Sequence, residues 1–427
     1  MSDAPQPHEV PVEKKLQDLQ ELLEISKAMS LEKDFDKLID LIVDAANRVM
    51  EAERSSLYVY DADANELWTK IAHGADRFRI KIGQGIAGQV GECRKLMNIV
   101  DCDTDERHFK GIDKKSGFHT RNMLCGPLVN HEGSLIGVLQ LLNKTTDPGY
   151  FTAYDEALLE AFSSHIALTL DQARLVQEYL DKQKMMHDLH LAREIQQGLL
   201  PKETPDLAGF DIFGWSEPCD ETGGDYFDYI PMHDGKLGLV IADVTGHGVG
   251  PALIMAEARA FARAAASLEG GVDLVLASVN DHLAKDLGGG RFVTLFWGAL
   301  NAGAGDFEYS SAGHGHTVVY RAGDGSLDEL ESTAPPLGIM SGMEFPMGPS
   351  SRLQPGDVLL MTTDGIEEAM NPSSEEYSRE RLREVLCENA GGTAQEIAES
   401  IRNNVIWFMD GADQRDDLTM VVVKAKG

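Results

Sequence analysis

The sequence has few cysteines, few basic residues and no long apolar run, and each shortage excludes a class of protein. Its five cysteines are scattered and form no CxxC pair, which argues against a zinc site or a disulfide framework and suits a reducing compartment. Lysines and arginines number 38 against 70 aspartates and glutamates, a formal charge of −32. A nucleic-acid backbone or an anionic membrane is therefore not the expected main partner.

Other absences narrow the compartment and the chemistry. No run approaches the roughly 20 apolar residues that span a bilayer. The polar N-terminal stretch lacks the features of a signal peptide, so we expect a cytoplasmic protein. The motifs GxSxG and GxxxxGK[ST] are also missing, which excludes the usual serine-hydrolase and P-loop patterns. What is present is an ordinary globular composition over 427 residues, long enough for two or three domains.

The first 170 residues alternate helical and strand-like hydrophobic patterns after a proline-containing stretch at 1–12 that we expect to be disordered. In order, the pattern predicts helices at Glu13–Met29 and Phe35–Met50, strands at Ser55–Tyr60 and Trp68–Ala72, a short helix ending Ile80–Val90, strands at Asn98–Asp101, Leu124–Val129 and Leu135–Leu142, and a helix from Asp155.

This part of the chain resembles a GAF domain, a small-molecule-sensing module. The resemblance rests on GQGIAGQV at Gly83–Val90, the hairpin at Gly126–Lys144, and Asn143-Lys144 followed by Phe151 and Asp155-Glu156. The last set is similar to the NK…F…DE signature of cyclic-nucleotide-binding GAF domains, although five residues stretch its spacing. The resemblance implies an antiparallel sheet with helices and a cyclic nucleotide or another small ligand. A GAF domain that only dimerises is the alternative.

From Asp155 the helical pattern continues for some 45 residues without a cap. Phe162, Ile166, Leu170 and Ala173 recur at spacings of 4, 4 and 3, and the pattern ends at Gly198–Pro201, where glycine and proline stop a helix. An apolar stripe of this length predicts a linker helix paired in a coiled coil with a second subunit. We therefore expect a homodimer.

The remaining residues, from about Phe210 to Lys426, predict at least seven short strands and two long helices, Pro251–Leu268 and Thr393–Met409. Few of these strands are joined by helices. This order favours two packed sheets with helices outside.

Acidic residues stand at strand ends or in glycine-rich turns of this second region. They are Asp225 in GGDYF, Asp243 in ADVTGHG, Asp364 in TTDG, and Asp416 and Asp417 before the strand LTMVVV. If the strands bring them to one edge of the sandwich, they offer oxygen ligands of the kind that Mg²⁺ and Mn²⁺ prefer. Paired ions of this kind promote in-line displacement at phosphorus.

The same stretches, in this order and spacing, resemble the bacterial PPM-type protein phosphatases, and within them the SpoIIE-like branch that regulates alternative sigma factors. The carrying residues are GGDYFDY, ADVTGHGVGPALIMA, FWGALNAGAGDFEYSSAGHGH, LLMTTDGIEEAMN and DQRDDLTMVVV, with LAREIQQGLLP just upstream. The resemblance implies an αββα sandwich and direct hydrolysis of a phosphoserine or phosphothreonine by a water that two Mn²⁺ or Mg²⁺ ions activate.

Position by position, the resemblance implies that Asp243 bridges the two ions and that the Val244 carbonyl binds one of them. Asp364 and Asp416 complete the metal shell, with Asp417 an alternative to Asp416. Asp225 acts through water or helps to hold a further ion. The phosphate-binding arginine of eukaryotic members has no clear counterpart, so phosphate capture would rest on the metals. The implied substrate is a phosphorylated regulatory protein of the anti-sigma-factor antagonist type.

Two other functions are weighed against this one. Gly223–Phe227 also resembles the GG[DE]EF hairpin of diguanylate cyclases, but a cyclase leaves the other three aspartates unexplained. The second alternative is an inactive scaffold with the phosphatase fold. The presence of every predicted metal-site aspartate argues against this alternative. His247 and His314 are open as metal ligands, general acids or structural residues.

The whole sequence thus predicts an α+β protein in four parts. They are an N-terminal tail and helix at 1–29, a GAF sensor domain at 30–172, a helical linker at 173–205 and a PPM-type phosphatase domain at 206–427. Trp215, Trp297 and Trp407 are expected in the core of the last part.

Overall fold

The computed structural model describes residues 10–69, 78–107, 118–267, 269–288, 290–302 and 305–427. The chain divides into two compact units, Met1–Lys184 and Met185–Gly427. Most of the expected disordered tail, the end of the second hairpin arm at 70–72 and Leu268 lie outside the described residues.

The first unit is an antiparallel sheet with helices, as the GAF resemblance implies. Its six strands are ordered β3-β2-β1-β6-β5-β4. The elements are α1 (Val12–Leu31), α2 (Phe35–Val49), β1 (Ala52–Asp61), β2 (Glu66–Thr69), β3 (Phe78–Lys81), α3 (Gly85–Cys93), β4 (Met97–Ile99), β5 (Met123–Val129), β6 (Leu135–Lys144) and α4 (Ala153–Gln197), of which α4 continues into the second unit.

One face of the sheet packs against α2 and the first third of α4. Helix α2 begins at an aspartate cap, since the Asp34 side chain accepts the backbone N–H groups of Asp36 and Lys37. Its apolar positions recur at helical spacing and are buried together with Phe162 and Ile166 of α4. The amphipathic pattern read from the sequence therefore marks the core of this unit.

The NK…DE residues of the first unit join strand β6 to helix α4. Lys144 Nζ lies 2.8 Å from Asp155 Oδ1, and both side chains are buried. Asn143 has a φ of 57°, and its Oδ1 accepts the Arg121 backbone N–H at 2.7 Å. In this chain these signature residues therefore hold elements together.

The second unit is a two-layer sandwich with helices on both outer faces. One sheet has the order β14-β11-β10-β9-β8 and the other β13-β12-β15-β16-β7. Its elements are β7 (Phe210–Glu217), β8 (Tyr226–Pro231), β9 (Leu237–Val244), α5 (Val249–Ala265), α6 (Val272–Asp286), β10 (Val293–Leu300), β11 (Asp306–Ala312), β12 (Thr317–Tyr320), β13 (Leu327–Glu329), β14 (Ser351–Arg352), β15 (Val358–Thr362), α7 (Asp364–Glu367), α8 (Arg379–Asn389), α9 (Ala394–Met409) and β16 (Leu418–Ala425).

Three apolar layers hold this sandwich together. Strands from both sheets meet in a middle layer that includes Leu239, Phe296 and Val421. Helices α5 and α6 cover the outer face of the first sheet, and α8 and α9 cover that of the second. The arrangement is the expected αββα sandwich.

The two long helices that the sequence predicted are present as α5 and α9, whereas α6 and α8 were not predicted. One expectation about the tryptophans was wrong. Trp297 is fully buried, but Trp407 is 78% exposed on α9, because its position falls on the face of the helix opposite Ile401 and Val405, which pack on the sheet.

Candidate metal centre

The predicted aspartates lie at neighbouring strand ends of the two sheets. Asp243 is the penultimate residue of β9, and Asp225 directly precedes β8, the strand that pairs with β9. In the second sheet, Asp364 begins the short helix after β15, and Asp416 precedes β16, which pairs with β15. Pairing therefore brings residues far apart in sequence to one edge of the sandwich.

Asp417 holds this edge together through backbone hydrogen bonds. Its Oδ1 accepts the Cys219 N–H at 2.8 Å, and its Oδ2 accepts the N–H groups of Gly224 at 2.6 Å and Asp225 at 3.2 Å. The side chain is buried. Its oxygens are thus engaged with the loop before β8, whereas the half-buried Asp416 accepts one backbone N–H, from Asp417. This difference favours Asp416 as the metal ligand of the pair.

Asp225 is the most enclosed carboxylate of the group. It is 5% exposed, and Thr363 Oγ1 donates a hydrogen bond to its Oδ2 at 2.7 Å. Thr363 immediately precedes Asp364, so one hydrogen bond connects the loop before β8 with the end of β15. Sequence reasoning did not identify Thr363, although its place beside a strand-end aspartate was a usable signal.

The carboxylates raise one another's pKa values. Burial, followed by the charges of Asp364 and Asp416, raises the pKa of Asp243 to about 7. Burial and the charge of Asp243 raise the pKa of Asp225 well above its usual range. Burial also raises the pKa of Asp416, with a contribution from Asp364. Closely packed carboxylates repel one another, and cations that lie among them stabilise their charged form.

The donor set fits hard divalent cations. A Cβ atom at Gly224 would lie 2.7 Å from the Val244 carbonyl oxygen, so glycine here lets two backbone segments approach closely. That carbonyl and the four predicted carboxylates, Asp225, Asp243, Asp364 and Asp416, are all oxygen donors, which Mg²⁺ and Mn²⁺ prefer. The residues present are therefore compatible with the two ions implied by the sequence motifs.

The two histidines that were left open occupy different environments. His314 is buried, and its Nδ1 lies 3.3 Å from Thr294 Oγ1. Burial lowers its pKa to about 3, so this imidazole is neutral at physiological pH. His247 is exposed on the turn after β9, and its Nδ1 lies 2.5 Å from Asp220 Oδ2.

A hydrogen-bonded clamp joins the end of helix α4 to the loop that carries Asp225. The Gln196 side chain donates from Nε2 to the Gly223 carbonyl at 2.5 Å and accepts the Gly223 N–H at 3.1 Å. Gly223 in turn packs against Asp417, since a Cβ there would meet the Asp417 carboxylate. Sequence reasoning recognised LAREIQQGLLP as a motif without seeing this contact.

One arginine lies beside the turn that follows Asp243. The Arg291 guanidinium packs over Gly250, where a Cβ would lie 3.5 Å from Nη2. Arg291 is exposed and has no acidic partner among the described residues. A guanidinium is able to bind a phosphate through two parallel hydrogen bonds, and no motif in the sequence pointed to this position.

Comparisons with known families agree with this architecture. The GAF domain model matches residues 34–170, and the model of the stage II sporulation protein E (SpoIIE) family matches residues 233–426. The chain consists of a GAF domain followed by a SpoIIE-type PP2C domain. The resemblance to a GAF domain followed by a SpoIIE-like PPM-type domain, and the α+β fold class predicted from the sequence, are thereby confirmed.

Individual relatives share this likeness over parts of their length. The protein IcfG of Synechocystis sp. is 30% identical over 263 residues, 55% of this chain and 41% of IcfG. Phosphoserine phosphatase RsbU of Bacillus subtilis is 27% identical over 248 residues, 57% of this chain and 72% of RsbU. The SiaA-PP2C domain of Pseudomonas aeruginosa has the same fold, with a TM-score of 0.51 at 21% identity, covering 57% of this chain and 98% of that domain.

Proposed function

We propose that this protein is a Mg²⁺- or Mn²⁺-dependent phosphatase that hydrolyses a phosphoserine or phosphothreonine on a regulatory protein. The observation that carries the proposal is the convergence of Asp225, Asp243, Asp364 and Asp416 at one edge of the sandwich, where burial and neighbouring carboxylates raise the pKa values of Asp225, Asp243 and Asp416. The RsbU relative is a phosphoserine phosphatase by name. From the resemblance to the SpoIIE-like branch, we propose a phosphorylated regulator of the anti-sigma-factor antagonist type as the substrate.

The chain's own residues contribute position and charge. Asp243, Asp364, Asp416 and the Val244 carbonyl would hold the ions, and Asp225, oriented by Thr363, would act on them through water. When bound, the ions would lower the pKa of a water and offset the phosphate's negative charge. We propose that the Arg291 guanidinium, which packs over Gly250 at the start of helix α5, contacts a phosphate oxygen of the substrate.

The test is metal-dependent release of phosphate from p-nitrophenyl phosphate and from a phosphothreonine peptide. We expect activity with Mn²⁺ that falls by at least about 100-fold in Asp243→Asn and Asp364→Asn, since a displaced catalytic group costs that much. Asp324→Asn, in the exposed turn after β12, is the matched control and should retain activity. Absence of activity with both metals and with a phosphorylated protein substrate would favour the scaffold alternative.

The GAF domain is proposed to be the sensor, with a cyclic nucleotide or another small molecule as its ligand. The buried Lys144–Asp155 ion pair supports this proposal, because it connects the end of strand β6 with the start of helix α4. Adding cyclic AMP or cyclic GMP to the phosphatase assay tests this. A changed rate with one nucleotide would identify the ligand, and no change with either would direct the search to other small molecules.

A homodimer through the helical linker is proposed as well. Every residue of α4 from 174 to 188 is exposed, yet this stretch includes Leu175, Tyr179 and Met186. Apolar side chains at these spacings are buried when two such helices pair.

Among the described residues no helix is long and apolar enough to cross a membrane, and we propose a cytoplasmic location.

A further inference from the structure

We propose that Cys219, Asp220 and His247 form a binding site for a thiophilic divalent cation of the Zn²⁺ type, beside the oxygen-only metal centre. One ligand atom from each residue, a thiol sulfur, a carboxylate oxygen and an imidazole nitrogen, lies within 4.8 Å of the other two. Cysteine spacing alone predicted no zinc site. The three ligands come from two loops that the fold brings together, which spacing along the chain cannot reveal.

The two loops are held in place by the surrounding fold. Cys219 and Asp220 lie between β7 and β8, and the Cys219 N–H is anchored on Asp417 Oδ1 at 2.8 Å. His247 lies between β9 and α5, and its Nδ1 already contacts Asp220 Oδ2 at 2.5 Å. The His247 side chain is 60% exposed and the Asp220 side chain 50% exposed. A cation can therefore enter from solvent and replace the hydrogen bond between them.

The ligand types distinguish this cluster from the aspartate centre. Thiolate and imidazole are soft and borderline ligands that favour zinc, whereas Mg²⁺ prefers oxygen and retains its waters. Three protein ligands leave the fourth position of a tetrahedral ion open to water. A cluster of Cys, Asp and His is therefore able to take Zn²⁺ in a solution that contains excess Mg²⁺.

The Zn²⁺-type site also communicates with the aspartate centre. The Cys219 sulfur also belongs to a second group of close ligand atoms. It lies within 4.8 Å of one carboxylate oxygen each from Asp416 and Asp417, and these two oxygens are equally close to each other. A cation on Cys219 therefore brings positive charge close to Asp416 and competes for its carboxylate. We infer that Zn²⁺ lowers the affinity of the aspartate centre for Mn²⁺ and inhibits the enzyme, a consequence that rests on the proposed phosphatase function.

Binding is tested on the full chain with Cd²⁺, which reports a cadmium–thiolate bond by ultraviolet charge-transfer absorbance, at saturating Mg²⁺. We expect one Cd²⁺ per chain with this band in the wild type, and loss of the band in Cys219→Ser. His247→Gln and Asp220→Asn should weaken Cd²⁺ binding by more than about tenfold, because even residues outside a ligand shell change metal affinity by about 10- to 100-fold. Cys387→Ser and His282→Gln, both at exposed positions elsewhere, are the matched controls and should leave binding unchanged.

The band persisting in Cys219→Ser would overturn the proposal, and so would Cd²⁺ affinity that is insensitive to both His247→Gln and Asp220→Asn. The second result would mean that a lone thiol binds the ion. Inhibition by Zn²⁺ is measured separately, as a fraction of each variant's own rate in Mn²⁺, and should weaken in parallel with Cd²⁺ affinity. A chain without any phosphatase rate would refute the proposed function, while the Cd²⁺ titration would still decide the cation site.

Discussion

Two adjacent aspartates just before β16 have different surroundings, and this difference favours Asp416 as the metal ligand and Asp417 as a structural residue. Asp417 accepts three backbone N–H groups from the loop before β8. Asp416 is half-buried and faces the charge of Asp364. We predict that Asp416→Asn raises the Mn²⁺ concentration needed for half-maximal activity and leaves stability nearly unchanged.

The neighbouring substitution is the control for this prediction. Asp417→Asn should destabilise the protein by about 1 to 3 kcal/mol, because buried backbone donors lose a charged acceptor. Activity titrations with Mn²⁺ and denaturant unfolding measure the two effects. If Asp417→Asn changed the Mn²⁺ requirement without any loss of stability, the roles of the two residues would be reversed.

The buried His314 side chain is predicted to make the stability of the sandwich depend on pH. Burial, and then the neighbouring His316, lowers its pKa to about 3 from an ordinary value of 6.5. The folded state keeps the ring neutral, whereas the unfolded chain binds a proton below pH 6.5. The contribution is therefore fully present above pH 6.5 and is lost as the pH falls towards 3, at a limiting slope of about 1.4 kcal/mol per pH unit.

We expect His314→Gln to show a shallower loss of unfolding free energy between pH 6.5 and 4.5 than the wild type. Three of the four tryptophans, Trp215, Trp297 and Trp407, lie in the second unit, so their fluorescence follows its unfolding in urea. His282→Gln, at an exposed position, should keep the wild-type slope. Equal slopes in all three proteins would contradict a neutral buried His314.

Arg291 is predicted to act on substrate affinity. Its guanidinium lies beside the turn after Asp243, and a charge-assisted hydrogen bond to phosphate contributes about 1.5 to 3 kcal/mol. Arg291→Ala should raise KM for a phosphothreonine peptide by about tenfold or more, and Arg291→Lys by less. Arg352→Ala, at the exposed edge strand β14, is the control in the same steady-state assay. An unchanged KM would return phosphate capture entirely to the metals.

At the scale of elements, two hydrogen bonds join the end of helix α4 to the loop before β8. Both hydrogen-bonding groups of the Gln196 side chain are used on the Gly223 backbone. Two residues further on, Asp225 enters the candidate metal centre. Displacement of the helix end therefore changes where this carboxylate lies.

We predict that Gln196→Ala raises the Mn²⁺ requirement of the phosphatase by several-fold, up to about the 100-fold seen when outer-shell partners of metal ligands are removed. Gln197→Ala is the matched control, because Gln197 is exposed one position further along the same helix. The measurement is activity against Mn²⁺ concentration. Coinciding curves for the two variants would show that the clamp does not position Asp225.

The elements also show which parts of the structure were predictable. Short apolar runs that end in turns predicted the strands of the sandwich and the aspartates at their ends. The helical spacing of apolar residues predicted α2. Helix α8 was missed because RERLREVLCEN is mostly charged and buries only Leu382, Val385 and Leu386. Helix α6 contains three valines, which favour strands when tertiary packing is unknown.

Contacts between distant loops were beyond sequence reasoning for a different reason. Cys219 and His247, or Arg291 and Gly250, meet because of how strands pair and where turns leave the sheet, and no periodicity encodes this. Asp416 and Asp417 could not be separated either, since adjacent residues share one sequence context. Their hydrogen bonds differ only once the loop before β8 is in place.

At the scale of the whole molecule, helix α4 runs from the GAF unit into the second unit. Its exposed stretch from 174 to 188 is the segment proposed to pair in the dimer. If helix pairing transmits a signal from the GAF unit, the response depends more on the rotation of one end of the helix relative to the other than on the length of the helix. An α-helix has 3.6 residues per turn, so one added residue turns everything after it by about 100°. Seven added residues restore a coiled-coil seam.

We therefore predict that inserting one alanine after Lys182 changes the basal phosphatase rate and its response to the GAF ligand, with cyclic AMP and cyclic GMP as the first probes. A heptad insertion at the same point should preserve both, because the apolar stripe and the Gln196–Gly223 clamp keep their relative phase. Light scattering should give a dimer for the wild type and for the heptad insertion. Identical rates and responses in all three proteins would mean that the helix is a passive tether, and a monomeric wild type would remove the basis for signalling by pairing.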